Sequence, residues 1–242
     1  MEAIRIENLT KRYRNVLAVD GLSLCIGEGE LFSLLGVNGA GKTTTVKMLS
    51  CLTEATEGDA YLLGKSIRTD SSEVKAMIAV SPQETAVAPG LSVRENLELM
   101  CGVHGFSREK KREKIAEFTE LLGLEGISSQ KAGKLSGGWQ RRLSIAMALI
   151  SEPKILFLDE PTLGLDVLAR SELWELIRSL KGRVTVILTT HYMEEAEALS
   201  DRIAIMKEGR LLVCDTPEGI KRKAGTDNFE QAFVRIVKGV RE

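Results

Sequence analysis

Apolar residues recur at every second position near the start of the chain, at Ile4 and Ile6 and then at Leu22, Leu24 and Ile26, the period of half-buried antiparallel strands. LFSLL (residues 31–35) replaces that alternation with a continuous apolar run, which predicts a buried strand. A glycine-rich turn follows, and Val46, Leu49 and Leu52 fall on one face of a predicted helix. AYLL (60–63) and MIAV (77–80) read as further short strands. Through the middle of the chain the period lengthens to that of helices. Ser92 and Glu95 make a capping box ahead of Val93, Leu97 and Met100, and Ile115, Phe118 and Leu121 mark a second helix. A third is expected from about Trp139, with Ile145, Ala148 and Leu149 on its apolar side. ILFL (155–158), a helix carrying Leu173, Leu176, Ile177 and Leu180, and VTVIL (184–188) then restore the strand, helix, strand order of a parallel sheet. IAIM (203–206), a turn around Gly209 and LLVC (211–214) predict an antiparallel hairpin, and Thr216-Pro217 opens another helix. Phe229, Phe233, Ile236 and Val237 share one face of a last one.

This pattern predicts one α/β core interrupted by a helical insertion of about residues 87–152. Composition narrows the class. With 242 residues, 43% hydrophobic and 28% charged, the chain has ordinary globular usage and enough length for a sizeable core. Its 33 basic and 34 acidic residues leave a net charge of −1, which excludes a strongly basic nucleic-acid binder as a description of the whole chain. No apolar run approaches the ~20 residues needed to cross a bilayer, and the first residues carry no apolar stretch that would serve as a secretory signal. Cys25, Cys51, Cys101 and Cys214 are scattered, without CxxC spacing, as expected of reduced thiols in the cytosol.

Chemistry enters with GVNGAGKT (36–43), which follows the LFSLL strand and opens a helix, the context of a phosphate-binding loop. Small residues at Gly36, Gly39, Ala40 and Gly41, with Val37 and Asn38 between them, let backbone N–H groups converge on phosphate oxygens. Lys42 is placed to reach the β and γ phosphates and Thr43, followed by Thr44, to offer its hydroxyl to Mg²⁺. ILFLDEP (155–161) is a buried strand ending in two adjacent carboxylates. Asp159 is expected to hold the hydration shell of Mg²⁺, and Glu160, pointing to the opposite side, to polarise a water for attack on the γ phosphate. Between the two motifs lies LSGGWQRR (135–142). Ser136 and the amides of Gly137 and Gly138 there make a second anion site at a helix N-terminus, or simply an N-capped helix after a tight turn.

On these motifs the sequence resembles the ATPase subunits of ATP-binding cassette transporters over nearly all of residues 1–215. GVNGAGKT, Gln83 in AVSPQE, LSGGWQ, ILFLDEP, the GLD turn (164–166) and His191 in TTH stand in the family's order. The resemblance implies an α/β P-loop NTPase (RecA-like) core with an N-terminal antiparallel β subdomain and an inserted helical subdomain, over residues 1–220, followed by a tail of residues 221–242. It implies that Tyr13 stacks on adenine, that Gln83 touches Mg²⁺ and the attacking water, and that His191 bonds the γ phosphate and helps position Glu160. Ser136, Gly137 and Gly138 would act on the ATP of an opposite subunit, which Asp166 would contact. ATP and Mg²⁺ are the implied cofactors, and the implied partners are a second copy or a related ATPase together with integral membrane subunits, with no nucleic acid. One departure stands out: Trp139 occupies the place of the family's usual Gln, which follows as Gln140, and an exposed Trp is expected at the dimer seam.

The stretch from His191 and the tail around Phe229, Glu230 and Phe233 look most like bacterial ATPases of drug, antibiotic or lipid exporters, peripheral on the cytoplasmic face of the membrane. The tail's apolar face would pack on the core or on a second ATPase. Importer ATPases share every catalytic motif and remain an alternative. A soluble cassette acting on ribosomes or DNA is another, disfavoured by the single cassette and by the absence of a long coiled coil between Gln83 and the signature. A phosphotransferase would lack LSGGWQ and the strand-end Glu160.

Overall fold

The alternating N-terminal residues form β1 (Glu2–Tyr13) and β2 (Val16–Gly27), an antiparallel pair whose Ile4, Ile6, Leu22 and Ile26 are buried. The structure, a computed structural model, describes residues 1–239. Next come β3 (Leu31–Leu35), α1 (Lys42–Leu49), β4 (Glu57–Leu62), β5 (Lys65–Ser66), α2 (Ser71–Met77) and β6 (Ile78–Ser81). Three helices follow, α3 (Val93–Val103), α4 (Arg108–Leu121) and α5 (Gly137–Leu149). The chain then alternates through β7 (Ile155–Asp159), α6 (Val167–Ser179), β8 (Thr185–Thr190), α7 (Met193–Leu199), β9 (Arg202–Lys207) and β10 (Arg210–Asp215), and ends in α8 (Pro217–Lys223) and α9 (Phe229–Lys238).

Two sheets result. One is the antiparallel β2-β1-β4-β5; the other runs β10-β9-β3-β8-β7-β6, parallel except for the β9–β10 hairpin. Every residue of β3, β7 and β8 is buried, which explains why these strands read as continuous apolar runs and the N-terminal ones as alternation. The parallel strands bring their carboxyl ends to one edge, where the loops after β3, β8, β7 and β6 lie side by side. That edge is where ligands of open α/β sheets bind.

The helices between β6 and β7 pack on Leu97, Phe118, Leu143 and Ile145 of a core shared with α6. The capping box of α3 forms as expected: Ser92 Oγ accepts from the Glu95 amide at 3.2 Å, and Glu95 accepts from the Ser92 amide at 2.7 Å. Leu52 departs from expectation. Helix α1 stops at Leu49, Cys51 takes a left-handed φ of 56°, and Leu52 turns out to 67% exposure. The tail boundary at residue 220 falls inside α8, because Thr216 caps that helix and Ile220 is buried within it. Phe229, Ala232 and Phe233 of α9 pack on Leu35, Ile203 and Ile205, with Ile236 and Val237 partly buried beside them, so the tail's apolar face closes on its own core. Residues 240–242 of the tail lie outside the described residues.

Candidate functional site

The loop after β3 owes its shape to small residues. A Cβ on Gly36 would stand 2.5 Å from the Met206 carbonyl oxygen, and one on Gly41 2.5 Å from that of Ala18; Gly41 also has φ +101°, a conformation only glycine takes without strain. Lys42, the first residue of α1, is bent back over the loop it follows. Its Nζ donates to the Gly36 carbonyl at 2.8 Å and the Val37 carbonyl at 3.4 Å, and lies 3.5 Å from Glu160 Oε1. Thr43, one residue on, donates through its hydroxyl to Asp159 Oδ1 at 3.2 Å. Thr189 of β8 also donates to that carboxylate oxygen.

The two strand-end carboxylates do not point to opposite sides of the sheet. Glu160 has φ +48°, and its amide donates to the Thr189 hydroxyl and carbonyl, both at 3.1 Å. This left-handed step ends the strand alternation, so Asp159 meets Thr43 while Glu160 meets Lys42, and both face the phosphate loop. A bulky residue held in this conformation is strained, and such strain persists where surrounding bonds over-determine it. His191, just past β8, completes the group with Nδ1 2.7 Å from Glu160 Oε2. Lys42 and Glu160 are buried, His191 only partly.

Lys42, Thr43 and Glu160 line an open cleft of about 680 Å³ whose other walls include Val16, Leu17, Ala18, the rest of residues 38–44, Gln83 and Glu208, with Asp159 and His191 behind them. Gln83 sits exposed in the loop after β6. Tyr13 is 42% exposed at the end of β1, with the Lys11 ammonium 4.9 Å from its ring centroid, and is not among the cleft residues. Neither are Ser136, Gly137 and Gly138, which open α5. The Ser136 hydroxyl makes no cap bond, and a Cβ on Gly138 would stand 3.0 Å from that of Ala169, so this turn packs tightly on the start of α6. Asp166 caps α6, accepting from the Ala169 amide at 2.9 Å. Trp139 is half-buried rather than exposed: it packs against the helical core and lies 4.8 Å beneath the Arg142 guanidinium. Gln140 turns inward and donates to the Ala132 and Leu135 carbonyls.

Sequence reading passed over Arg141. Its buried guanidinium donates to the carbonyls of Pro82, at 2.7 Å, and Gln83, at 2.5 Å, so α5 holds the loop that presents Gln83. The RR pair in LSGGWQRR was a signal, but only the fold shows which Arg turns inward. Arg141→Ala leaves two carbonyls without their donor, and a midpoint shift in urea unfolding worth about 1–3 kcal/mol is expected. An unchanged midpoint would show that the clamp carries no energy.

The donor set fits a nucleoside triphosphate with Mg²⁺. The amide-rich loop and Lys42 suit phosphate oxygens, and Thr43 beside Asp159 offers the oxygen ligands that Mg²⁺ takes alongside water and phosphate. No group of three or more His, Cys, Asp or Glu side chains among the described residues could hold a metal alone.

Comparison with known proteins bears on the same residues. The family described as ABC transporter matches residues 19–163. The daunorubicin resistance ATP-binding protein DrrA2 of Streptomyces coeruleorubidus is 42% identical over 229 residues, 94% of this chain and 71% of that protein. The Nod factor export ATP-binding protein I of Burkholderia orbicola (strain AU 1054) is also 42% identical, over 94% of this chain and 75% of its own length. Among solved structures, cbiO1 from Clostridium perfringens, described as part of the ABC transporter complex cbiONQ, superposes with a TM-score of 0.85 at 26% identity, covering 92% of this chain and 91% of that one.

Proposed function

Because the chain belongs to the ATP-binding cassette (ABC) transporter family, we propose that it works as one of a head-to-tail pair of cassettes that closes on ATP at the cytoplasmic face of a membrane and drives an exporter. It binds ATP and hydrolyses it to ADP and phosphate to power transport, working with membrane transporter components. No helix among the described residues is long and apolar enough to cross a membrane. The export direction follows the relatives, which serve daunorubicin resistance and Nod factor export.

One observation carries the catalytic reading: at the cleft that Lys42, Thr43 and Glu160 line, Thr43 bonds Asp159 while Glu160 stands between Lys42 and His191, at 3.5 and 2.7 Å. In it the loop amides of residues 36–44 and Lys42 hold the β and γ phosphates, and Tyr13, exposed at the end of β1, stacks on adenine. Thr43, Asp159 and Gln83 would hold Mg²⁺, which would neutralise charge on the phosphates. Glu160 takes a proton from the water that attacks the γ phosphorus, as the bond to the ADP oxygen breaks. With a proton on both ring nitrogens, His191 donates from Nδ1 to Glu160 Oε2, which fixes that carboxylate, and from Nε2 to the γ phosphate. Ser136, Gly137 and Gly138, lying away from the cleft, serve the partner's ATP, and Asp166 meets the partner at the seam. ATP touching both cassettes closes the pair, and loss of phosphate opens it.

The reading is tested by tagging the Glu160→Gln variant in its host, solubilising membranes gently with ATP and Mg²⁺, and identifying what co-purifies stoichiometrically. An integral membrane protein is the expected result. Ribosomal or DNA-bound partners, with no membrane protein, would keep the ATPase chemistry and overturn the transport assignment.

A further inference from the structure

Glu195, on α7, is 0% exposed, and nothing in the site just described uses it. Its surroundings come from α6, the end of β8 and the loop after Glu160. Oε1 accepts from the Trp174 indole of α6 at 3.2 Å, and the hydroxyls of Thr190, at the end of β8, and Thr162, two residues past Glu160, adjoin the carboxyl. The other oxygen, Oε2, has no hydrogen-bond partner, nor has Thr162 Oγ1, and both atoms are buried. Glu160 is the charged group acting on it.

We propose that Glu195 is a positioning residue, whose buried carboxyl ties the helix that follows His191 to the loop running from Glu160 to Asp166. His191 lies two residues ahead of α7, and Thr162 two residues beyond Glu160. A carboxyl anchored between them therefore fixes both ends of the 2.7 Å contact between His191 and Glu160. Burial, and behind it the charge of Glu160, push this carboxyl above the usual range, against the opposing pull of the Thr190 and Thr162 hydroxyls and the Trp174 indole beside it. In the neutral acid Oε2–H becomes a donor, while Thr162 Oγ1, a buried oxygen without a partner, adjoins the carboxyl. A mere space-filler would not need an acid here, since a fully buried carboxyl costs more than an apolar side chain unless it is bonded.

The inference rests on the reading of Glu160 as the base, so the purified full chain is compared as Glu195→Gln, Glu195→Leu and Glu160→Gln. Glu195→Leu keeps volume but loses every bond; kcat for ATP is expected to fall about tenfold or more with KM within about twofold, because misplacement of the pair touches chemistry rather than binding. Glu195→Gln, with an amide that donates where the acid did, is expected to restore kcat to within about threefold of the parent. A purely structural role would instead lower the unfolding midpoint of Glu195→Leu and leave kcat per folded chain unchanged, which would overturn the proposal. Loss in Glu195→Gln equal to that in Glu195→Leu would overturn it too, since an ionised carboxylate would then be required. A Glu160→Gln chain that still hydrolysed ATP would instead sink the base assignment, whatever the Glu195 variants did.

Discussion

Replacing Glu160 by Gln is expected to lower ATP hydrolysis by on the order of 10²- to 10⁴-fold, the usual contribution of a positioned general base, while ATP still binds. The amide keeps the shape of the carboxylate and can still meet Lys42 and His191, which now flank it at 3.5 and 2.7 Å. It has no basic oxygen to receive the proton of the attacking water. With binding intact and chemistry stopped, the two cassettes should remain closed on ATP. Phosphate release measured beside the apparent mass with ATP and Mg²⁺ checks both halves. Normal turnover would mean that another group takes the proton, and loss of hydrolysis without a larger species would remove ATP-driven pairing from the scheme.

Lys42→Ala should fail earlier, at binding. The ammonium is buried beside the loop carbonyls of Gly36 and Val37, and its charge is the one positive group of the loop itself. A hydrogen bond to a charged group is worth about 1.5–3 kcal/mol, so ATP affinity is expected to weaken about 10- to 150-fold. Removal also leaves Glu160 with a buried charge that only His191 and its own strand end address, which adds a stability loss that denaturant unfolding would detect. Titration with a fluorescent ATP analogue reads the affinity. Unchanged affinity in a folded variant would exclude Lys42 from phosphate binding. The two substitutions thus separate along the reaction, one blocking entry of ATP and the other its consumption.

Much of the architecture is legible from periodicity because burial imposes it. Strands covered on both faces, such as LFSLL and ILFLD, are apolar nearly throughout, and those covered on one face alternate. The phosphate loop is legible for a related reason: Gly36 and Gly41 have no room for a Cβ, so the requirement is written in residue type. The short α2 and α7 left no such trace, since seven residues with few buried positions do not establish a period. Leu52 and Trp139 show the converse, apolar residues whose exposure was set by where a helix stopped and by what stood next to it.

The sequence by itself determined the class of chemistry, because a phosphate loop, adjacent strand-end carboxylates and a strand-end histidine are each a local arrangement of residue types that few other tasks require. Only the tertiary structure decided how these parts meet. That Glu160 turns in a left-handed step to face Lys42, that Arg141 rather than Arg142 holds the Gln83 loop, and that Glu195 lies buried against Thr162 and Trp174 all depend on contacts between segments distant in the chain. A sequence records what each residue can do locally. Which of its possible partners it finds is fixed when β3, β6, β7 and β8 bring their ends to one edge, and that alignment is a property of the packed sheet.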